Sequence, residues 1–131
     1  MKDETLTWVS YADENLDVAR LALEHGHLNA SLQNAQQAIE KYLKAVVVER
    51  DLKFLKTHSI RELVRVLAEQ GVLVNVSDDE MDLMDTIYLP SKYPIYSALP
   101  EAIPDQAICK GALKIAEQVR DSVTLILNSK A

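Results

Sequence analysis

The sequence predicts an all-α protein, an antiparallel up-and-down bundle of about five helices with a proline-rich irregular segment before the last helix. Three observations carry this reading. Apolar residues recur at spacings of three and four along most of the chain. Two Ser-x-x-Glu boxes, at Ser59 and Ser77, open apolar runs as helix N-termini do. All four prolines fall between Pro90 and Pro104. At 131 residues the chain reads as one domain, residues 1–131, long enough to bury about two-thirds of its unfolded surface in a single core.

Each element follows from its residues. Trp8, Ala12, Leu16, Ala19 and Leu23 form one face of a first helix that Gly26 stops. A second helix begins after Asn29, a favourable N-cap, and its apolar face runs through Leu32, Ala35, Ile39, Tyr42, Leu43, Val46 and Val47. Near its end Ala45 to Val48 follow one another at about 100° per residue, so that turn is apolar all round and is buried, in the bundle or against a second chain. Ser59-Ile60-Arg61-Glu62 caps a third helix bearing Ile60, Leu63, Val64 and Leu67, and Gly71 closes it. Ser77 to Glu80 repeats the box before a short fourth helix with Met81, Met84, Ile87 and Tyr88. From Leu89 to Ile103 the prolines exclude regular helix, because each lacks an N–H and clashes with the preceding turn. Long irregular stretches of this kind are often functional, which draws attention to Ser91-Lys92-Tyr93-Pro94. The last helix starts at Pro104 or Asp105 and buries Ile108, Ala112, Ile115, Val119 and Ile126.

Composition narrows the function classes. The N-terminus lacks the basic and apolar regions of a secretory signal, and the longest aliphatic run is far too short to span a bilayer, so the expectation is a cytoplasmic protein with no membrane partner. Fourteen Lys and Arg against twenty Asp and Glu give a net charge of −6, which opposes broad attraction to nucleic acid or anionic lipid, and no DNA partner is expected. The charge is uneven, however. From Glu40 to Val66 seven basic residues face four acids, so an anion is expected to bind there if anywhere. One cysteine, Cys109, and three dispersed histidines exclude a structural zinc site. Glu24-x-x-His27 is a single copy of a di-iron spacing and is broken by Gly26. With no glycine-rich phosphate loop either, neither a metal nor a cofactor is expected. On helix two Gln36 or Gln37, Glu40, Lys41 and Lys44 lie at spacings of three and four, so several of them share a ridge, and Glu40 with Lys44 has the favoured orientation for a surface ion pair.

The order of these residues resembles the HEPN domain family. The landmarks are the early helix with Trp8, Ala12 and Leu16, the segment Gln36-Gln37-Ala38-Ile39-Glu40-Lys41-Tyr42-Leu43-Lys44-Ala45, Thr57-His58 opening a helix, and the late Tyr93-Pro94. The resemblance implies a five-helix bundle, commonly a homodimer, often encoded beside a minimal nucleotidyltransferase in toxin–antitoxin pairs. Many members of the wider family are metal-independent ribonucleases with an Arg-x4–6-His motif near the fourth helix. Here no arginine or histidine occurs between Glu69 and Val119, and the spacing is matched only by Arg20 with His25 or His27 at the end of helix one. The expectation is therefore a homodimeric module that binds a nucleotide, RNA or a partner nucleotidyltransferase without evident catalysis. Lys41, Lys44, His58, Lys92 and Tyr93 are its candidate ligand-binding residues, the lysines supplying charge, His58 a hydrogen bond beside a helix N-terminus, and Tyr93 a stacking face. Two alternatives stay open: a ribonuclease toxin with a degenerate site, using Arg20 or Lys92 with His25 or His58, and a purely structural partner subunit.

Overall fold

The computed structural model describes residues 1–53, 56–92 and 105–129. The described residues form five helices and no strand: α1 (Asp3–Glu24), α2 (Leu28–Glu49), α3 (Ile60–Glu69), α4 (Asp78–Lys92) and α5 (Gln106–Leu127). None of these helices is long and apolar enough to cross a membrane. α1 and α2 form an antiparallel hairpin whose open end is tied by Lys2, which bonds the Glu49 carboxylate through its backbone N–H and the Val48 carbonyl and Asp51 through its ammonium. α5 lies along this hairpin, and the α3/α4 pair covers the other side of α2. α2 is therefore the axis of the bundle.

The ends of three helices are written in left-handed residues. After α1 the Gly26 N–H reaches the Leu23 carbonyl and the His27 N–H the Ala22 carbonyl, with Gly26 at φ +76°. Gly71 makes the same closure after α3 at φ +79°. Asp51 does so after α2 at φ +56°, the one non-glycine with positive φ among the described residues. α2 begins slightly earlier than the sequence predicts, at Leu28 with His27 as N-cap instead of after Asn29. Asp105, one of the two predicted starts, is the N-cap of α5 and accepts from the Ile108 N–H at 2.7 Å.

The core is continuous from Leu16 on α1 through Ile39, Leu43 and Val47 on α2 to Leu63 on α3 and Val119 on α5. Ala45, Val46 and Val47 are fully buried within this single chain, whereas Val48 is only half-buried, so most of the apolar turn, but not all of it, faces its own bundle. Cys109 is buried too, its thiol pushed up by desolvation and donating to the Leu28 carbonyl at 3.4 Å. α4 departs from expectation, since it is not short and passes through Pro90 to end at Lys92. Pro90 sits in the final turn, where its missing N–H forfeits a single intrahelical hydrogen bond two residues before the helix stops. The remainder of the proline-rich segment, 93–104, lies outside the described residues.

Tyr42 has its ring in the core and donates its hydroxyl to Asp13 on α1. Burial first, then that bond to a carboxylate, push its phenol well above the ordinary value. A raised pKa stabilises the fold fully below the unfolded value, about 10, and the contribution fades as pH rises beyond it. The urea midpoint of the wild type is expected to fall more steeply between about pH 10 and about pH 12 than that of Tyr42→Phe, which has nothing to ionise there. Parallel curves would show that Tyr42 titrates normally.

Candidate functional site

The site grows from the polar ridge of α2. Gln36, Glu40 and Lys44 are four residues apart and stack along one side of the helix. All three are buried, because α1 covers the ridge on one side and the α3 entry covers it on the other. The Lys44 Nζ sits 3.0 Å from the Glu40 Oε2 with the two side chains only 8% and 10% exposed, so the pair predicted at the surface is an interior one. The other Glu40 oxygen, Oε1, lies 2.9 Å from the Nδ1 of His58, whose side chain is 56% exposed. Gln36 completes the set by donating its amide to the His58 carbonyl at 3.1 Å. A buried carboxylate thus joins an interior ammonium to a surface imidazole.

Aromatic rings line the α1 side. The Lys44 ammonium is 5.9 Å from the centroid of the Trp8 ring, and the Lys41 ammonium is 5.9 Å from that of Tyr11. Lys41 also donates to the Asn15 Oδ1 at 2.6 Å, and Asn15 in turn donates to Asn34 at 2.8 Å. Lys41 is half-buried and Tyr11 exposed, so this end of the ridge meets solvent.

The α3 entry explains the Thr57-His58-Ser59 sequence. Ser59 accepts from the Glu62 N–H at 3.1 Å, as a capping box requires. Glu62 does not reach back to the Ser59 N–H directly. Thr57 is interposed, its hydroxyl accepting from the Ser59 N–H at 3.1 Å and donating to the Glu62 Oε2 at 3.0 Å. The box at Ser77 is reciprocal without a relay, Ser77 N–H to Glu80 at 2.9 Å and Glu80 N–H to Ser77 at 3.1 Å, and the Ser77 N–H, with the Gln118 amide, holds the Glu80 carboxyl below the usual carboxylate range.

Sequence reasoning placed His58 beside a helix N-terminus as a place for an external anion. In the structure that terminus already holds a carboxylate from α4. Asp85 accepts from the Ile60 N–H at 2.7 Å, the Arg61 N–H at 3.2 Å and the Ser59 hydroxyl at 2.9 Å. An incoming anion therefore meets the exposed side of His58, not the first turn of α3.

Of the five candidates, the structure links Lys44 to His58 through Glu40, and sets Lys41 one turn away. Lys92 is placed by its backbone as the last residue of α4, the negative end of a helix dipole. Tyr93 lies outside the described residues. Arg20 is turned toward α5, where Glu117 at 2.9 Å, together with Asp17 on its own helix at 3.2 Å, holds it charged, while His25 and His27 cap helix ends at the hairpin turn. Sequence reasoning missed Trp8 and Tyr11 as neighbours of the lysines. Their signal was present: both lie on α1, which must run antiparallel to α2. No group of three or more histidines, cysteines or carboxylates able to hold a metal occurs among the described residues.

This bundle, with the Gln-Glu-Lys ridge at its centre and a histidine docked on it, defines a helical module of a known type. The HEPN domain family model matches residues 5–126, and the chain belongs to the HEPN family. Among solved structures, the fold is similar to TT1696 from Thermus thermophilus, with a TM-score of 0.75 and 27% identity over 95% of this chain and 98% of that one. It is also similar to ST0689, described as an archaeal HEPN homologue, with a TM-score of 0.72 and 23% identity over 98% of this chain and 100% of the other. No curated protein matches the sequence.

Proposed function

We propose that this HEPN module binds the phosphate of a nucleotide or of single-stranded RNA along the α2 ridge, without catalysis of its own. The observation that carries the reading is the line of groups from the Lys41–Tyr11 pair, through Lys44 and Glu40, to His58. Stacking faces alternating with cations suit a base and its phosphate. The line also has the right charge balance. Glu40 offsets Lys44, so the charge offered to a ligand comes from Lys41 and from His58 when protonated, with Lys92 as a further candidate and Tyr93 as a second stacking face. In this reading the module works as a homodimer and as the partner of a minimal nucleotidyltransferase.

Lys41 and Tyr11 give the cleanest test, because Lys44→Glu would set two carboxylates together in the interior and unfold the ridge. Lys41→Glu combined with Tyr11→Ala is expected to weaken binding of ATP or of a short single-stranded RNA at least about tenfold, a loss of the size stacking and one phosphate contact supply. Titration of both ligands separates the two sources, and unchanged curves would remove this site. One observation favours a second reading. A carboxylate on the Nδ1 of a half-exposed histidine is the orientation used in general acid–base catalysis, so RNA cleavage that His58→Ala abolishes would make the protein a ribonuclease instead.

A further inference from the structure

α1 carries a second apolar stripe on the side away from the core. The residues it buries are Thr5, Ala12, Leu16, Ala19 and Ala22, all but one of them small. Trp8, Val9 and Leu23 are half-buried against the bundle, while four other large apolar side chains face solvent: Leu6 is 51% exposed, Tyr11 55%, Val18 39% and Leu21 55%. Three of these fall into register, since Tyr11, Glu14, Val18 and Leu21 are spaced three, four and three residues apart, the pattern of a helix-pairing seam. Isolated exposed leucines are ordinary, but an ordered stripe along a 22-residue helix is a surface shaped for another helix.

Charge decides what covers it. α1 carries six carboxylates, Asp3, Glu4, Asp13, Glu14, Asp17 and Glu24, and its one basic residue, Arg20, is committed to Asp17 and Glu117. Glu14 sits in the seam itself and is exposed, with Asp17 and Glu24 four and three residues from Leu21. A two-fold pairing of this face with a second copy would set these carboxylates against their own equivalents. We propose that the outward seam of α1 docks a basic amphipathic helix of a different protein, with lysine or arginine opposite Glu14 and aliphatic residues against Val18 and Leu21. The surface is independent of the phosphate line on α2, although Tyr11 borders both.

The test uses the full chain and two synthetic helices of about three heptads, both with a leucine seam, one flanked by lysines and one by glutamates. The lysine helix is expected to bind in fluorescence anisotropy and the glutamate helix is not. Val18→Ser with Leu21→Ser is expected to weaken the lysine helix at least about tenfold, and Glu14→Lys to weaken it similarly. These positions are exposed, so circular dichroism should show unaltered melting. Binding unaffected by the double serine variant would reduce the effect to bulk charge and overturn the proposal. So would failure of the lysine helix to bind, or loss of self-association in the serine variant by sedimentation, which would give the face to a second copy. Nucleotide titration of the same variant keeps this outcome separate from that of the α2 ridge.

Discussion

Glu40→Ala is expected to lower the stability of the folded chain by about 3 kcal/mol, the usual cost of removing one partner from a buried ion pair. The size follows from where the carboxylate stands. Its Oε2 holds the Lys44 ammonium at 3.0 Å in a setting where both side chains are close to fully buried. Alanine leaves that ammonium in the interior without its counter-charge, and the Gln36 amide loses a weaker contact of 3.5 Å. His58 also loses the group on its Nδ1, but its side chain is mostly in water and adds little to the sum. The control is Glu40→Met with Lys44→Met, which removes both charges and keeps the volume; most of the stability should return, because well-packed apolar pairs commonly match a buried ion pair. Urea unfolding of the two variants measures this. A loss below about 1 kcal/mol in Glu40→Ala would mean that Lys44 escapes to solvent and that the ridge is a surface feature after all.

That difference between a surface pair and an interior pair marks what sequence periodicity can and cannot deliver. Apolar spacing located all five helices, because each needs an unbroken buried stripe and the stripe is visible in the residues themselves. Gly26, Gly71 and Ser77 announced their turns and caps by chemistry that few other residues perform. The fate of the polar ridge was not visible in this way. Glu40 and Lys44 at a spacing of four look identical in sequence whether α2 lies at the surface or at the axis of the bundle. Only the packing of α1 and of the Thr57–His58 corner over them settles it. The apolar turn Ala45 to Val48 held a hint, since a helix buried on most sides at one turn has little room for a solvated face at the previous one. α4 outruns its sequence expectation for a related reason: a proline excludes regular helix in an interior turn, whereas near the C-terminus its missing N–H costs one bond. The aromatic neighbours of the lysines depend on the register between α1 and α2, a tertiary quantity that no single helix records.

The buried ridge also narrows how the protein can meet a ligand. A lysine neutralised inside the fold cannot reach out to phosphate, so the basic excess between Glu40 and Val66 overstates the free positive charge. Arg61 is held by Asp78 at 3.1 Å and Asp82 at 2.6 Å, and Arg65 by Glu69 at 2.6 Å. What the ridge offers is order more than charge: His58 is held in one orientation by Glu40, and its carbonyl is held by Gln36.

Asp85→Ala carries the second large effect, about 2–3 kcal/mol, through a cap supplied from a distance. The first amides of a helix have no partner within it, and α3 is a helix of 10 residues that cannot stand on propensity alone. Ser59 satisfies the Glu62 N–H, but the Ile60 and Arg61 N–H groups both point at Asp85, which also takes the Ser59 hydroxyl. A negative charge at that end interacts favourably with the helix dipole as well. Since Asp85 belongs to α4, the same three bonds fasten α4 to α3. Asp85→Asn keeps an acceptor without the charge and is expected to recover about half of the loss. Amide hydrogen exchange locates the effect: protection in α3 should fall in Asp85→Ala while protection in α1, α2 and α5 follows only the global change. Uniform loss across all five helices would show that Asp85 acts on the whole core and not as the cap of α3.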